Sequence, residues 1–175
     1  MDSRVCKDAK RKKTNIVLIG MPGVGKSTIG VILAKELGYQ FIDADLLIQQ
    51  QERKLLKEII EQKGVDGFIA VENKVNASIQ AENTVIATGG SVIYGKEAME
   101  HLGEIAIVVY LKLSYDHLQM RLGNLRNRGV VLRDGQTLKD LYDERVVLYE
   151  KYADIVVDEE NKGIEDTLEN IISVI

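Results

Sequence analysis

Cysteine is nearly absent from this chain of 175 residues: Cys6 stands alone, so no internal disulfide can form, and the expectation is a protein of the reducing cytoplasm. Histidine is almost as scarce. His101 and His117 are isolated, with no Cys/His cluster beside either, which argues against a built-in transition-metal site. Long apolar runs are missing as well. The longest, Ile16 to Ile19 and Ile105 to Leu111, fall far short of the roughly 20 residues a bilayer span needs. No basic-then-apolar leader opens the chain, so an unexported protein without a membrane partner is expected. What the chain does have is 45% hydrophobic residues, enough to bury the core of one ordinary domain.

The net charge is -4, unevenly spread: residues 1–13 hold six Lys/Arg and two Asp, so the acidic excess lies in the remainder. The run Lys10-Arg11-Lys12-Lys13 is read as a solvated, disordered tail over residues 1–13 and not as a nucleic-acid arm. Short runs rich in Val and Ile recur at Ile16 to Ile19, Thr84 to Ala87, Ile105 to Leu111 and Ile155 to Val157, with a briefer one at Gln40 to Ile42. Such runs suit strands buried on both faces. Helical spacing fills the intervals at Lys26 to Leu37, Glu58 to Gln62, Phe68 to Glu82, Ser114 to Leu122, Thr137 to Tyr152 and Ile164 to Val174. Gly38 and Gly64 supply helix stops, and Ser114 supplies an N-cap. Strands alternating with helices predict a parallel sheet covered on both sides. Gly123 to Gly135, with three arginines and three glycines, reads as a mobile loop.

Gly20-Met21-Pro22-Gly23-Val24-Gly25-Lys26-Ser27 matches G-x-x-x-x-G-K-[ST] at every fixed position, after a strand and before a helix. Glycines let backbone N–H groups turn inward around phosphate oxygens, and the first helical turn adds unpaired donors and partial positive charge. Lys26 can bridge the terminal phosphates, and the Ser27 hydroxyl can join the shell of a magnesium ion. A nucleoside triphosphate site is the firmest inference.

A guanine-specific switch would carry an Asn-Lys-x-Asp tetrad. The nearest stretch, Asn73-Lys74-Val75-Asn76, ends in Asn and is read as a solvated helical face. A motor ATPase rarely fits this length, so a nucleoside- or metabolite-kinase layout is favoured. Asp43 and Asp45 follow the second strand, and if extended they point to opposite sides, one toward a metal and one toward a second ligand. They could equally cap a helix that begins near Leu46. Gly89 and Gly90 end the third strand, where paired glycines allow a ligand to approach the backbone, or simply make a tight turn.

In this order, the segments GMPGVGKSTIG, FIDADLLI, VIATGGSVI, VVYLKLSYDHLQMRL and DERVVLYEKYADIVVD resemble the shikimate kinase family from Ile16 to Asp158. The resemblance implies a three-layer α/β/α P-loop fold, with a five-stranded parallel sheet of order 2-3-1-4-5, a substrate-binding helical region and a closing lid near residues 123–135. It implies a single kinase domain over 14–175, monomeric like many small kinases, that transfers the γ-phosphoryl group of ATP to shikimate. The product would be shikimate 3-phosphate, in aromatic amino-acid biosynthesis. By resemblance, Gly23, Val24, Gly25, Lys26, Ser27 and Thr28 would hold ATP. Arg121 would lie near the adenine, and Ser27 with Asp43 would support Mg2+. Asp45 would bind the substrate hydroxyls and accept the proton of the attacking one. Gly89 and Gly90 would line the substrate site, Arg145 would pair with the substrate carboxylate, and Arg128 would reach in from the lid.

The chain departs from the family pattern in one informative place. Where the family has Phe-Arg, this chain has Phe68-Ile69, and the missing arginine is the one that shares the shikimate carboxylate with Arg145. A charged hydrogen bond contributes roughly 1.5 to 3 kcal/mol, so its loss is equivalent to about 10- to 150-fold in affinity. An acceptor with an apolar group near Ile69, or an ATP-binding relative without catalysis, are the alternatives. Ser91 replaces a third glycine, and Gly129 replaces a proline after Arg128, which predicts a looser lid.

Overall fold

The computed structural model describes residues 13–122 and 132–175. The described residues form one parallel sheet of strands β1 (Asn15–Ile19), β2 (Gln40–Asp43), β3 (Thr84–Ala87), β4 (Ala106–Lys112) and β5 (Ile155–Asp158), in the order β2-β3-β1-β4-β5. The expected order of 2-3-1-4-5 is thus the observed one. β1 is the central strand, every residue of it buried, with Val17 between Ile86 of β3 and Val108 of β4. Its first residue, Asn15, ties β1 to the start of β3 and to the end of the segment that leads into β4. The side-chain amide donates to the carbonyls of Ala81 (2.8 Å) and Ile105 (3.0 Å) and accepts from the N–H of Thr84 at 3.0 Å.

Seven helices accompany the described strands: α1 (Lys26–Leu37), α2 (Ala44–Glu52), α3 (Leu56–Ala77), α4 (Lys96–Ile105), α5 (Tyr115–Leu122), α6 (Leu138–Tyr152) and α7 (Ile164–Ile172). Gly38 stops α1 in the left-handed region at φ 67°, as its position predicts. The two helices expected on either side of Gly64 form one element, α3, broken at that glycine by φ 70° and ψ -179°. The helix α4 carries its apolar residues at Ala98, Met99 and Leu102, all buried. It falls where the sequence analysis assigned no element. The stretch Asn73 to Asn76 corrects another expectation, because it is not a solvated face. Val75 and Asn76 are buried, and the Asn73 side chain accepts from the N–H of Ala98 at 2.9 Å, so this face of α3 is packed against α4.

The main core lies between the sheet and its flanking helices. A second, smaller cluster of Ile48, Ile59, Phe68 and Val75 sits within α2 and α3. That cluster gives the α2–α3 region its own hydrophobic support. The loops that follow β1 and β3, and the start of α2 directly after β2, all lie at the carboxyl edge of the sheet, where open α/β folds bind ligands. Among the described residues, no helix is long and apolar enough to cross a membrane.

Candidate active site

The turn from β1 into α1 wraps around the Lys26 side chain. Gly25, at the N-cap of α1, adopts φ 104°, a conformation that favours glycine, and Lys26 follows it with only 7% of its surface exposed. Its ammonium donates to the carbonyls of Gly20 (2.8 Å) and Met21 (2.9 Å). Burial lowers the Lys26 pKa to about 8, and the neighbouring Asp45 carboxylate pulls in the opposite direction.

Ser27, one residue on, points toward β2. Its hydroxyl donates to Oδ2 of Asp43 at 2.7 Å, while Oδ1 of the same carboxylate accepts from the N–H groups of Asp45 (3.0 Å) and Leu46 (3.3 Å). The helix-cap reading of the Asp-x-Asp pair is the one observed, for Asp43. Asp43 caps a helix and also faces the phosphate loop. The chain is not extended there, however: Asp45 lies in the first turn of α2. Burial raises the pKa of Asp45 above the usual carboxylate range, the charge of Asp43 adds to this, and Lys26 opposes it.

Gly89 and Gly90 are required by close approach. A Cβ on Gly89 would clash with Oε1 of Glu72 and lie 2.8 Å from Oδ1 of Asp45. One on Gly90 would lie 2.7 Å from Cδ of Pro22 and 3.0 Å from Nη1 of Arg145. The Gly90 carbonyl also accepts from the Tyr149 hydroxyl at 2.5 Å. Arg145, on α6, is 5% exposed. Its guanidinium sits 5.4 Å from the centre of the Tyr94 ring, and Nε donates to the Tyr94 hydroxyl at 3.4 Å.

These groups converge on one cleft of about 300 Å³, where Lys26, Ser27 and Thr28 face Asp45, Gly90 and Arg145. Ile69 lines the same cleft beside Val65 and Phe68, so the position singled out in the sequence lies on an apolar wall of the site. Val24 and Arg121 belong to a second, neighbouring cleft, bordered also by Gly23, Gly25 and Thr28. There Arg121 donates to the Val24 carbonyl at 3.2 Å. Arg128 lies outside the described residues, as do residues 1–12 and most of the expected lid.

Sequence reasoning did not single out Glu72 as a site residue. Its side chain is 1% exposed and lines the cleft, with Oε2 accepting from the Ser91 hydroxyl and Oε1 without a partner among the described residues. Burial pushes its pKa up to about 7, against the Ser91 hydrogen bond. The signal was present in the helical pattern: Phe68, Glu72, Val75 and Asn76 are the buried positions along that stretch of α3, so a carboxylate falls on the inward-facing stripe. Tyr94 and Arg133 were likewise not singled out, and both line the cleft.

A strand-loop-helix phosphate cradle at the centre of a 2-3-1-4-5 parallel sheet, opening on a carboxylate and an arginine from other elements, defines a P-loop phosphotransferase that acts on a hydroxyl group. The family profile described as shikimate kinase matches residues 22–175. Curated shikimate kinases from Clostridium botulinum (39% identical, covering 90% of this chain and 94% of theirs) and Sulfurihydrogenibium sp. (34%, 92% and 97%) are similar over nearly their whole length. A solved shikimate kinase from Acinetobacter baumannii, in complex with shikimate, superposes with a TM-score of 0.82 at 32% identity, over 93% of each chain. The chain belongs to the shikimate kinase family.

Proposed function

We propose that this protein transfers the γ-phosphoryl group of ATP to the 3-hydroxyl of shikimate. The observation that carries the reading is the shared cleft: the lysine of the phosphate loop and the carboxylate of Asp45 face one space, which Arg145 also enters. The structure of the relative from Acinetobacter baumannii holds shikimate, which supports the same acceptor here. Residues 14–175 act as one kinase domain, with residues 1–13 as a tail and residues 123–135 as the lid.

In this reading the N–H groups of Gly23 to Thr28 cradle the phosphates. Lys26 leaves the carbonyls of Gly20 and Met21 for the β- and γ-phosphate oxygens. Asp45 orients the acceptor hydroxyl and takes its proton as the oxygen attacks. The new bond joins that oxygen to the γ-phosphorus, and the bond to the bridging oxygen breaks, so that ADP leaves with the electron pair. Arg145 holds the acceptor carboxylate, Gly89 and Gly90 give the ring room beside the backbone, Arg128 neutralises the migrating group from the lid, and Arg121 lies against the adenine. Alignment and charge neutralisation are what this transfer chiefly requires.

Mg2+ fits the residues present, because the Ser27 hydroxyl and the Asp43 carboxylate are adjacent oxygen donors of the kind a hard cation takes. When bound, it would neutralise charge on the β- and γ-phosphates. A second reading, a hydroxylated acceptor with an apolar group, draws on the wall of Ile69, Val65 and Phe68. One experiment separates the two: ADP release measured by a coupled assay with shikimate and with a panel of polyols and hydroxy acids. Shikimate is expected to give the highest kcat/KM, and the product to be shikimate 3-phosphate. No acceptor-dependent ADP release from shikimate would overturn the proposal.

A further inference from the structure

In the proposed reading the clamp on the acceptor carboxylate is short of one cation at Ile69, yet a second arginine lines the same cleft. It is Arg133. Arg133 lies in the short connection that leads into α6, and that connection is tied down by a local turn. The N–H of Gln136 donates to the Arg133 carbonyl at 2.9 Å, the Arg133 N–H donates to the Gln136 side-chain oxygen at 3.2 Å, and Gly135 adopts φ 77° between them. The turn runs directly into the N-cap of α6, where Thr137 and Asp140 exchange hydrogen bonds in a capping box. The backbone that carries Arg133 is therefore joined to the helix that carries Arg145.

Its side chain crosses to the opposite wall. Nη2 of Arg133 donates to Oδ1 of Asp66 on α3 at 2.8 Å. Asp66 stands three residues before Ile69, a spacing that puts the two on one side of a helix. Asp66 thus ties the Arg133 side chain to α3 three residues from the position where Ile69 offers no donor. Both partners are exposed, at 59% and 87% of their side-chain surface. An ion pair so open to water is weak and exchanges readily. A guanidinium also has N–H donors beyond the one that Asp66 uses, and its planar fork matches a carboxylate in a way a lysine cannot.

We infer that Arg133 is a specificity-determining residue of this chain: it supplies the second cation that grips the acceptor carboxylate, opposite Arg145, in place of the donor missing at Ile69. This rests on the acceptor reading above. When a carboxylate enters the cleft, the Arg133 guanidinium shares or exchanges Asp66 for it, and the turn at Gly135 keeps the side chain within reach. An acceptor of the same ring without the negative charge gains nothing from this contact.

The test compares shikimate with its neutral carboxamide in the full-length parent, in Arg133→Met and in Arg133→Met combined with Ile69→Arg. Coupled assays give KM and kcat, and calorimetry gives Kd. The Met variant is expected to weaken shikimate binding by about 10- to 150-fold, the worth of one charged hydrogen bond, with KM for ATP and the affinity for the carboxamide unchanged. Adding Ile69→Arg is expected to restore most of the loss. Unchanged ATP affinity also reports that the variant is folded. An unaltered Kd for shikimate in Arg133→Met, or an equal loss for the carboxamide, overturns the inference and leaves the acceptor reading intact. A parent enzyme that neither binds nor phosphorylates shikimate overturns both.

Discussion

The two ends of the cleft are built on opposite principles. At the phosphate end the polar groups find partners nearby: Lys26 on the carbonyls of Gly20 and Met21, Ser27 on Asp43, Asp43 on the start of α2. At the acceptor end a buried glutamate keeps one oxygen unpartnered among the described residues, and an isoleucine occupies the wall beside it. The first end is preorganised by its own sequence. The second is left incomplete, and a buried polar group without a partner costs stability. Such incompleteness is tolerable where a ligand supplies the missing contacts, which supports the proposed placement of the acceptor at this end.

Substitutions break this contrast most sharply at the phosphate end. Lys26→Met is expected to remove transfer to below about 10⁻³ of the parent kcat, measured by coupled ADP release, while circular dichroism shows an intact fold; retained turnover would mean that the lysine does not meet the phosphates. Asp45→Asn, where the two ends meet, is expected to lower kcat by about 10²-fold or more, with a smaller change in KM for ATP. A variant that kept its kcat would exclude Asp45 as the proton acceptor.

Glu72 tests the incomplete end through stability. Its carboxyl group is held at about 7 in the folded chain against an ordinary value of 4.5, so between those values the folded state binds more protons than the unfolded one. Stability then falls as pH rises through this window, and the full cost, roughly 3 kcal/mol, is present above it. Glu72→Gln is expected to remove that slope and to be the more stable protein at pH 8 than at pH 5 relative to the parent. Urea unfolding at the two values checks this, and parallel pH profiles for variant and parent would count against it. The smallest effect is expected from Ile69→Arg, which should lower KM for shikimate by no more than about tenfold, because the parent already has Arg133 near that wall. A gain as large in the parent as in Arg133→Met would show that the two arginines act independently.

The same division explains what could be read from the sequence. The phosphate loop is one contiguous stretch whose residue types each answer a local requirement, so Gly20 to Ser27 announced the strand, the turn, the helix and the ligand together. The order of the sheet came from the family resemblance, not from periodicity. The acceptor end draws on α2, α3, the turn after β3 and α6, and no single stretch contains it. Glu72 lay in a helix whose neighbours Phe68 and Val75 were visible as apolar, but the meaning of a charge in that stripe depends on Gly89 and Ser91 packing against it. From the sequence alone Asn73 to Asn76 reads as a solvated helical face, whereas packing against α4 decides its burial. That helix itself was not assigned, although Ala98, Met99 and Leu102 fall at helical spacing. Arg133 was invisible as a site residue for the same reason: its partner Asp66 is 67 positions away in the chain.

Asp43 has a role that reaches beyond its hydrogen bonds. One oxygen accepts from Ser27 of the phosphate loop, and the other caps the turn that carries Asp45, the proton acceptor in the proposed reading. In the proposed reading a single carboxylate thus ties the loop of the donor to the helix of the acceptor, and lengthening that side chain by one methylene, as in Asp43→Glu, is expected to disturb the alignment of the two.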